Sequence, residues 1–332
     1  MEQVSARISP GRDSAAPRPP EDNRRKGESM TTLRDLESNG QVVLKRFDGA
    51  FDLPPKTDTG GPSLRGVVLD TETTGLSAED DQIIEIALRP FTFDPRDLRL
   101  RSVEAPYEAL QQPDRPLSRE IQLLTGISDA DLAGRSIDWS VVRTMLDDAV
   151  LILAHNAGFD RRFMDPAIGA NQHRWGCTQT QIDWLARGHT STKLELLSHD
   201  HGFYVSAHRA RADVDAVLSL LCRGESHSPP YLKEVLRNVR RPRIRLWARG
   251  AAYATRGLLK RRGYRWHAPD HTWYREVPRP TAAEERTWLT ETIYRGRDDS
   301  VEEAIRSTDR FREPTTAPWT QGPDRGGADR RR

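Results

Sequence analysis

VVLDTETTGL, residues 67–76, closes an apolar run on two acids placed two positions apart. The run predicts a strand over 66–70, and along a strand side chains alternate between faces. Asp70 and Glu72 therefore point one way and Thr71 the other. Two carboxylates crowded at one spot repel unless a cation lies between them, and oxygen donors of this kind suit Mg²⁺ or Mn²⁺. A solvated acidic turn would show the same spacing, so acids elsewhere in the chain have to decide.

Two helical stretches do so. In GFDRRFMDPA, residues 158–167, Asp160 shares a stripe with Phe163, Met164 and Ala167, while Arg161 and Arg162 fall on the other side. In ADVDAVLSLL, residues 212–221, Asp213 aligns with Val217, Leu220 and Leu221, and Asp215 is turned away. A buried carboxylate without a partner is expensive. Helix capping would explain either one alone, but both together with the strand pair favour a metal site. Four carboxylates meet the needs of two-metal phosphodiester hydrolysis, in which ions about 4 Å apart stabilise the attacking and leaving oxygens. His208, just upstream of Asp213, is the expected general base, with His155 as its rival. His199 and His201 have no ligand partner at useful spacing and read as ordinary surface or core histidines.

Outward from these segments the pattern alternates. QIIEIALRPFTFD (82–94) and LRLRSVEAPYEAL (98–110) read as two further strands of a meander, DWSVVRTMLDDA (138–149) as an amphipathic helix and VLILAH (150–155) as a strand. The fold class is α/β, a mixed sheet flanked by helices over 64–222, followed by a small basic α+β domain. Residues 1–30 are expected to be disordered, with Met30 a candidate for the true start, and 31–63 to form a lead-in and Pro/Gly-rich connector. Residues 223–230 read as a linker. Within 231–295, RIRLWARG, AAYATRGLLKRRG with Gly263 as C-cap, and YRWHAPDHTWYREV suggest a β-α-β-β unit, and Thr281 to Glu284 matches a capping box opening a last helix through Tyr294. Residues 296–332 read as a mostly disordered tail.

The composition excludes several classes. No apolar run is long enough to span a bilayer and no signal-type stretch opens the chain, so a cytoplasmic protein is expected, without a membrane partner. Cys177 and Cys222 show no pairing pattern or thiolate zinc spacing and read as small core residues. There is neither a dinucleotide fingerprint nor a P-loop. The net charge of +2 averages an acidic middle with a basic C-terminal third. Between residues 233 and 279 about fourteen Lys/Arg face three acids, interleaved with Trp247, Tyr253, Tyr264, Trp266, Trp273 and Tyr274. Single-strand binding uses basic grooves with aromatic platforms, whereas a unit this small also needs its aromatics for its core.

VVLDTETTGL, AHNAGFDRRFMD and HRARADVDAV, in that order and with LLTGISDADL between the first two, resemble the motifs of the DEDDh exonucleases, a family that includes the proofreading epsilon subunit of bacterial DNA polymerase III and stand-alone relatives. The resemblance covers roughly residues 64–222. It implies a ribonuclease H-like fold, two divalent metal ions, Mg²⁺ or Mn²⁺, and release of nucleoside 5′-monophosphates from 3′ ends. Carried over residue by residue, Asp70, Glu72, Asp160 and Asp213 would hold the metals and His208 would be the base. Thr71, Thr73, Thr74, Gly75 and Leu76, with His155, Asn156 and Phe159, would hold the terminal nucleotide. Single-stranded or frayed DNA 3′ ends are the expected partner. An RNA-trimming enzyme would use the same residues, and a non-catalytic binding module is the third reading. No segment after residue 222 resembles a polymerase-binding tail.

Overall fold

A computed structural model describes residues 3–7, 41–53, 61–169, 173–206, 208–224 and 229–320. The chain divides into two compact units, residues 1–236 and 237–332. In the first, β1 (Gln3–Arg7) pairs antiparallel with β2 (Gln41–Arg46). Residues 3–7 thus join a sheet where composition predicts disorder. The remaining expectations for 1–2 and 8–40, and those for 54–60, 225–228 and 321–332, lie outside the described residues.

The main sheet starts with β3 (Leu64–Thr73), β4 (Ile83–Phe93), β5 (Leu100–Val103) and β6 (Tyr107–Leu110), all antiparallel. The run 98–110 is two strands and not the single one expected. Pro106 lacks the N–H a ladder needs, so the chain breaks there. Its halves pair with different stretches of β4, at Phe91–Phe93 and at Glu85–Leu88. Helices α1 (Arg119–Thr125), α2 (Asp129–Leu132) and α3 (Trp139–Asp147) follow, opened by the caps Ser118, Ser128 and Asp138. Then β7 (Leu151–Ala154) runs parallel to β3, α4 (Ala157–Ile168) crosses over, and β8 (Trp175–Cys177) runs parallel to β7. The order is β5-β4-β3-β7-β8, with β6 also against β4. This is the mixed, helix-flanked sheet of a ribonuclease H-like fold.

After α5 (Leu194–Asp200), β9 (Phe203–Tyr204) pairs in parallel with β2, and α6 (Ala210–Arg223) packs on β3 and β4. Its Val214, Val217, Leu218, Leu220 and Leu221 are buried, each contributing roughly 1.5–3 kcal/mol. Cys177 and Cys222 are free and buried. The division between units falls inside α7 (Tyr231–Arg240), beyond the stretch 223–230. The cause is packing: the Tyr231 ring meets Trp184 edge-on at 4.8 Å, and Glu234 accepts from Asp183 N at 2.9 Å. His201 is buried there, with Nε2 3.0 Å from the Tyr231 hydroxyl.

The second unit contains β10 (Arg243–Ala248), α8 (Arg256–Arg262), β11 (Arg265–His267), β12 (Thr272–Pro278), α9 (Ala282–Trp288) and β13 (Val301–Ile305). Its antiparallel sheet has the order β11-β12-β10-β13. Gly263, at φ +89°, ends α8 as a left-handed cap. One face of the sheet buries Ile244, Leu246, Trp273 and Val277 with Leu259 and Leu289; the other buries Trp247 and Tyr274 against Ala317. Two expectations fail here. Residues 301–305 form an edge strand and Ala317 is fully buried, so 301–320 are not a disordered tail. The capping box does not form, because the Thr281 hydroxyl donates to the Pro278 carbonyl, and after Trp288 the helix widens into a π turn at Leu289–Ile293. Among the described residues no helix is long and apolar enough to cross a membrane.

Candidate active site

The last parallel pair between β3 and β7 is Val68 with Leu153. Beyond it β3 continues alone on that side, and Asp70 and Glu72 lie on this extension, where β7 hands over to α4. The carboxyl ends of parallel strands are where ligands bind in such sheets. Asp160 lies in the first turn of α4, 2% exposed, and its Oδ1 accepts from Thr71 N at 3.1 Å and Thr71 Oγ1 at 3.0 Å. Thr71, expected to hold substrate, thus uses both its donors to fix an acid against β3.

Asp213, in the first turn of α6, accepts from His208 N at 3.2 Å. His208 is exposed and adopts φ +61°, a conformation rare for a residue with a side chain and one often stored at functional sites. One carboxylate oxygen each of Glu72 and Asp213 and one ring nitrogen of His208 lie within 4.8 Å of one another, a group that could hold a metal ion.

Electrostatics connects all four acids. Withdrawal from water raises the Asp70 carboxyl well above its ordinary range, and Asp160, Asp213, Glu72 and Glu85 push it further the same way. Glu72 is pushed up to about 8, first by burial and then by Asp213, Glu85 and Asp160. Burial also raises Asp160 and Asp213, against the hydrogen bonds from Thr71 and His208. Carboxylates that resist ionisation together form a site that gains by taking up positive charge. The donors are oxygens with one imidazole, the set that hard divalent cations accept.

The loop after β3 is organised by Asp81. Its carboxylate accepts from Thr74 Oγ1, Ser77 N and Arg115 at 2.9–3.0 Å, and the Ser77 bond leads in holding it below the usual carboxylate range. A Cβ on Gly75 would come within 2.4 Å of Asp81 Oδ2, so this position needs glycine for the loop itself. The Thr73 hydroxyl donates to Gly75 O, and Leu76 projects with 80% exposure. Asn156, at φ +79°, and Phe159, 5.0 Å from Phe163, sit on the turn that carries Asp160. His155 is engaged at both ring nitrogens, with Thr178 Oγ1 at 2.9 Å and Thr192 O at 2.8 Å, and burial pushes it down to about 4.

Two helix-face expectations need correction. Asp215 is turned from the acid cluster but not to solvent: it is 6% exposed, paired with Arg89 at 2.6 Å and Arg211 at 2.9 Å. Arg161 is fully buried, its guanidinium 5.5 Å from the Trp175 ring centre. Both cases follow from α/β layering, in which a helix is covered on more than one stripe. Sequence reasoning also missed Glu85, 2% exposed, directly across the β3–β4 ladder from Glu72 and held by Arg209 at 2.8 Å. Its signal was an acid within the apolar run of β4.

Residues 67–221 match the RNase_T exonuclease family. The DNA polymerase III subunit epsilon of Treponema pallidum (strain Nichols) is 27% identical over 186 residues, 53% of this chain and 83% of that protein. The DNA polymerase III PolC-type of Bacillus subtilis (strain 168) is 40% identical over 106 residues, 30% of this chain, and the matched stretch spans only 7% of that polymerase. Among solved structures, Exonuclease X in complex with 5′ overhanging duplex DNA is similar with a TM-score of 0.39 and 22% identity, over 51% of this chain and 99% of that one. The stretch 67–221, which holds the mixed sheet and the acids gathered at its end, is thus similar to the RNase_T exonuclease family.

Proposed function

We propose that this chain is a metal-dependent exonuclease that removes nucleotides from the 3′ end of DNA and releases nucleoside 5′-monophosphates. The observation that carries the reading is the convergence of Asp70 and Glu72 from β3, Asp160 from α4 and Asp213 from α6, with His208 beside Glu72 and Asp213. The four acids would hold two Mg²⁺ or Mn²⁺ ions, which when bound supply positive charge to the attacking and leaving oxygens of the phosphodiester. His208, exposed at the start of α6, takes the proton of the attacking water and passes it to solvent. His155 is unsuited to that role, since both its nitrogens are occupied. Thr71 is a positioning residue for Asp160, and the Asp81-pinned loop presents Leu76 for contact with the terminal base.

DNA is favoured over RNA because the relatives are named as DNA polymerase III components, which also favours a role in proofreading or repair. The test is degradation of matched DNA and RNA strands labelled at either end, with Mg²⁺, Mn²⁺ or EDTA. Metal-dependent loss of the 3′ label from DNA as mononucleotide is the expected result. Faster trimming of RNA would reassign the substrate, and loss of the 5′ label first would reverse the polarity.

A further inference from the structure

The second unit divides its aromatic residues into two sets. Trp247, Tyr264, Trp273 and Tyr274 are buried in its core clusters, whereas Tyr253 is 78% exposed and Trp266 48% exposed. Trp266 lies on the edge strand β11 opposite Trp273 of β12, and the two rings meet edge-on at 5.3 Å. Trp273 packs in the same cluster as Leu259, the one buried residue of α8. Trp266 is therefore on the helix-bearing face of the sheet. The outward side of α8 carries Arg256, Lys260 and Arg261, all exposed. Among the described residues no carboxylate pairs with any of these three, while their neighbours Arg262 and Arg275 are both paired with Glu285. The Arg256 guanidinium sits 4.0 Å from the centre of the Tyr253 ring.

We infer that Tyr253, Arg256, Lys260, Arg261 and Trp266 form a second contact surface for single-stranded nucleic acid, in which the cations take phosphates and the two rings stack on bases. Tyr253 adds little to a core already complete without it, and about half of Trp266 stays in water although its ring touches Trp273. Unpaired cations beside exposed rings are what a polyanion of stacked bases recognises. An acidic protein would satisfy the charges but would leave the rings without a matching partner. The inference takes only the class of ligand from the exonuclease reading.

The test uses the full chain. Binding of labelled oligothymidylate is titrated in EDTA at several salt concentrations, and hydrolysis of a dinucleotide is measured separately with Mg²⁺. The triple variant Arg256→Ala, Lys260→Ala, Arg261→Ala should flatten the plot of log affinity against log salt by about 2, at about 0.7 for each phosphate no longer neutralised. Tyr253→Ala and Trp266→Ala should each weaken binding at least about fivefold. Tyr253, being mostly exposed, keeps the test decisive if the Trp266 variant fails to fold. Dinucleotide hydrolysis should stay unchanged in all of them, and its absence in the wild type would overturn the exonuclease reading alone. Equal affinities and slopes would overturn the second surface. So would competition by polyglutamate as effective as competition by oligothymidylate.

Discussion

The Glu85 carboxylate accepts from Arg209 Nη2 at 2.8 Å and Nε at 3.1 Å, and from the backbone N–H of Ala210 at 3.0 Å. A strand acid thereby grips the first turn of α6, where an anion meets the positive end of the helix, one residue past His208. Arg209→Ala leaves Glu85 buried opposite Glu72 with no counter-charge and only the Ala210 N–H bond. We expect a loss of about 1–3 kcal/mol in urea titration, with Arg209→Lys recovering only part because it lacks the fork that meets both carboxylate oxygens. An unchanged midpoint would show that the grip is idle.

Asp213 and Asp215 should separate function from stability. Asp213→Ala is expected to abolish metal-dependent hydrolysis in a folded protein. Asp215→Ala should keep the metal site but leave Arg89 without its partner in a nearly buried setting, at a cost of about 3–5 kcal/mol. Parallel assays at a temperature where both variants are folded check this, and an inactive but stable Asp215 variant would contradict it.

The metal-free protein should be less stable at alkaline than at mildly acidic pH. Glu72 binds its proton up to about pH 8 in the fold, against an ordinary 4.5, so the folded state holds more protons than the unfolded one across that window. Stability then falls as pH rises through it and the loss is complete above the folded value. Melting in EDTA should drop by about 5 °C or more between the two ends. Added Mg²⁺ or Mn²⁺ should remove most of the drop, and a melting temperature independent of both pH and metal would count against a shared cation site.

His208→Ala should lower turnover by about 10² to 10⁴ with little change in KM, as removal of a general base does. His155→Ala should act through stability instead, since its ring bridges Thr178 and Thr192. The two profiles, measured as kcat and unfolding midpoint, would be exchanged if the roles are reversed.

Local periodicity makes much of this legible. The alternation in VVLDTET and the stripes of α4 and α6 put the four acids on inward-facing positions because strand and helix geometry are set within a few residues. What periodicity misses depends on pairings distant in sequence. Glu85 and Arg209 are 124 residues apart, and nothing near either one announces the other. A two-sided picture of a helix assigns Asp215 and Arg161 to solvated faces, whereas these helices meet neighbours on several sides. Leu76 is as suited to a core as to a surface by composition, and its projection follows from the loop that Asp81 ties together. The aromatics of 247–274 divide between core and surface according to strand register, which composition does not contain.

The parallel pairing of β2 with β9 joins Lys45 to Phe203 and Arg46 to Tyr204, with Lys45 N donating to Gly202 O and Phe47 N to Tyr204 O. Further along, Phe51 lies under the Arg89 guanidinium that holds Asp215. Strand β9, upstream of His208, is therefore splinted by residues that precede the acid-bearing motifs by more than a strand's length. A gene fragment trimmed to the matched stretch 67–221 would encode every acid of the centre, yet leave β9 without the strand it pairs with.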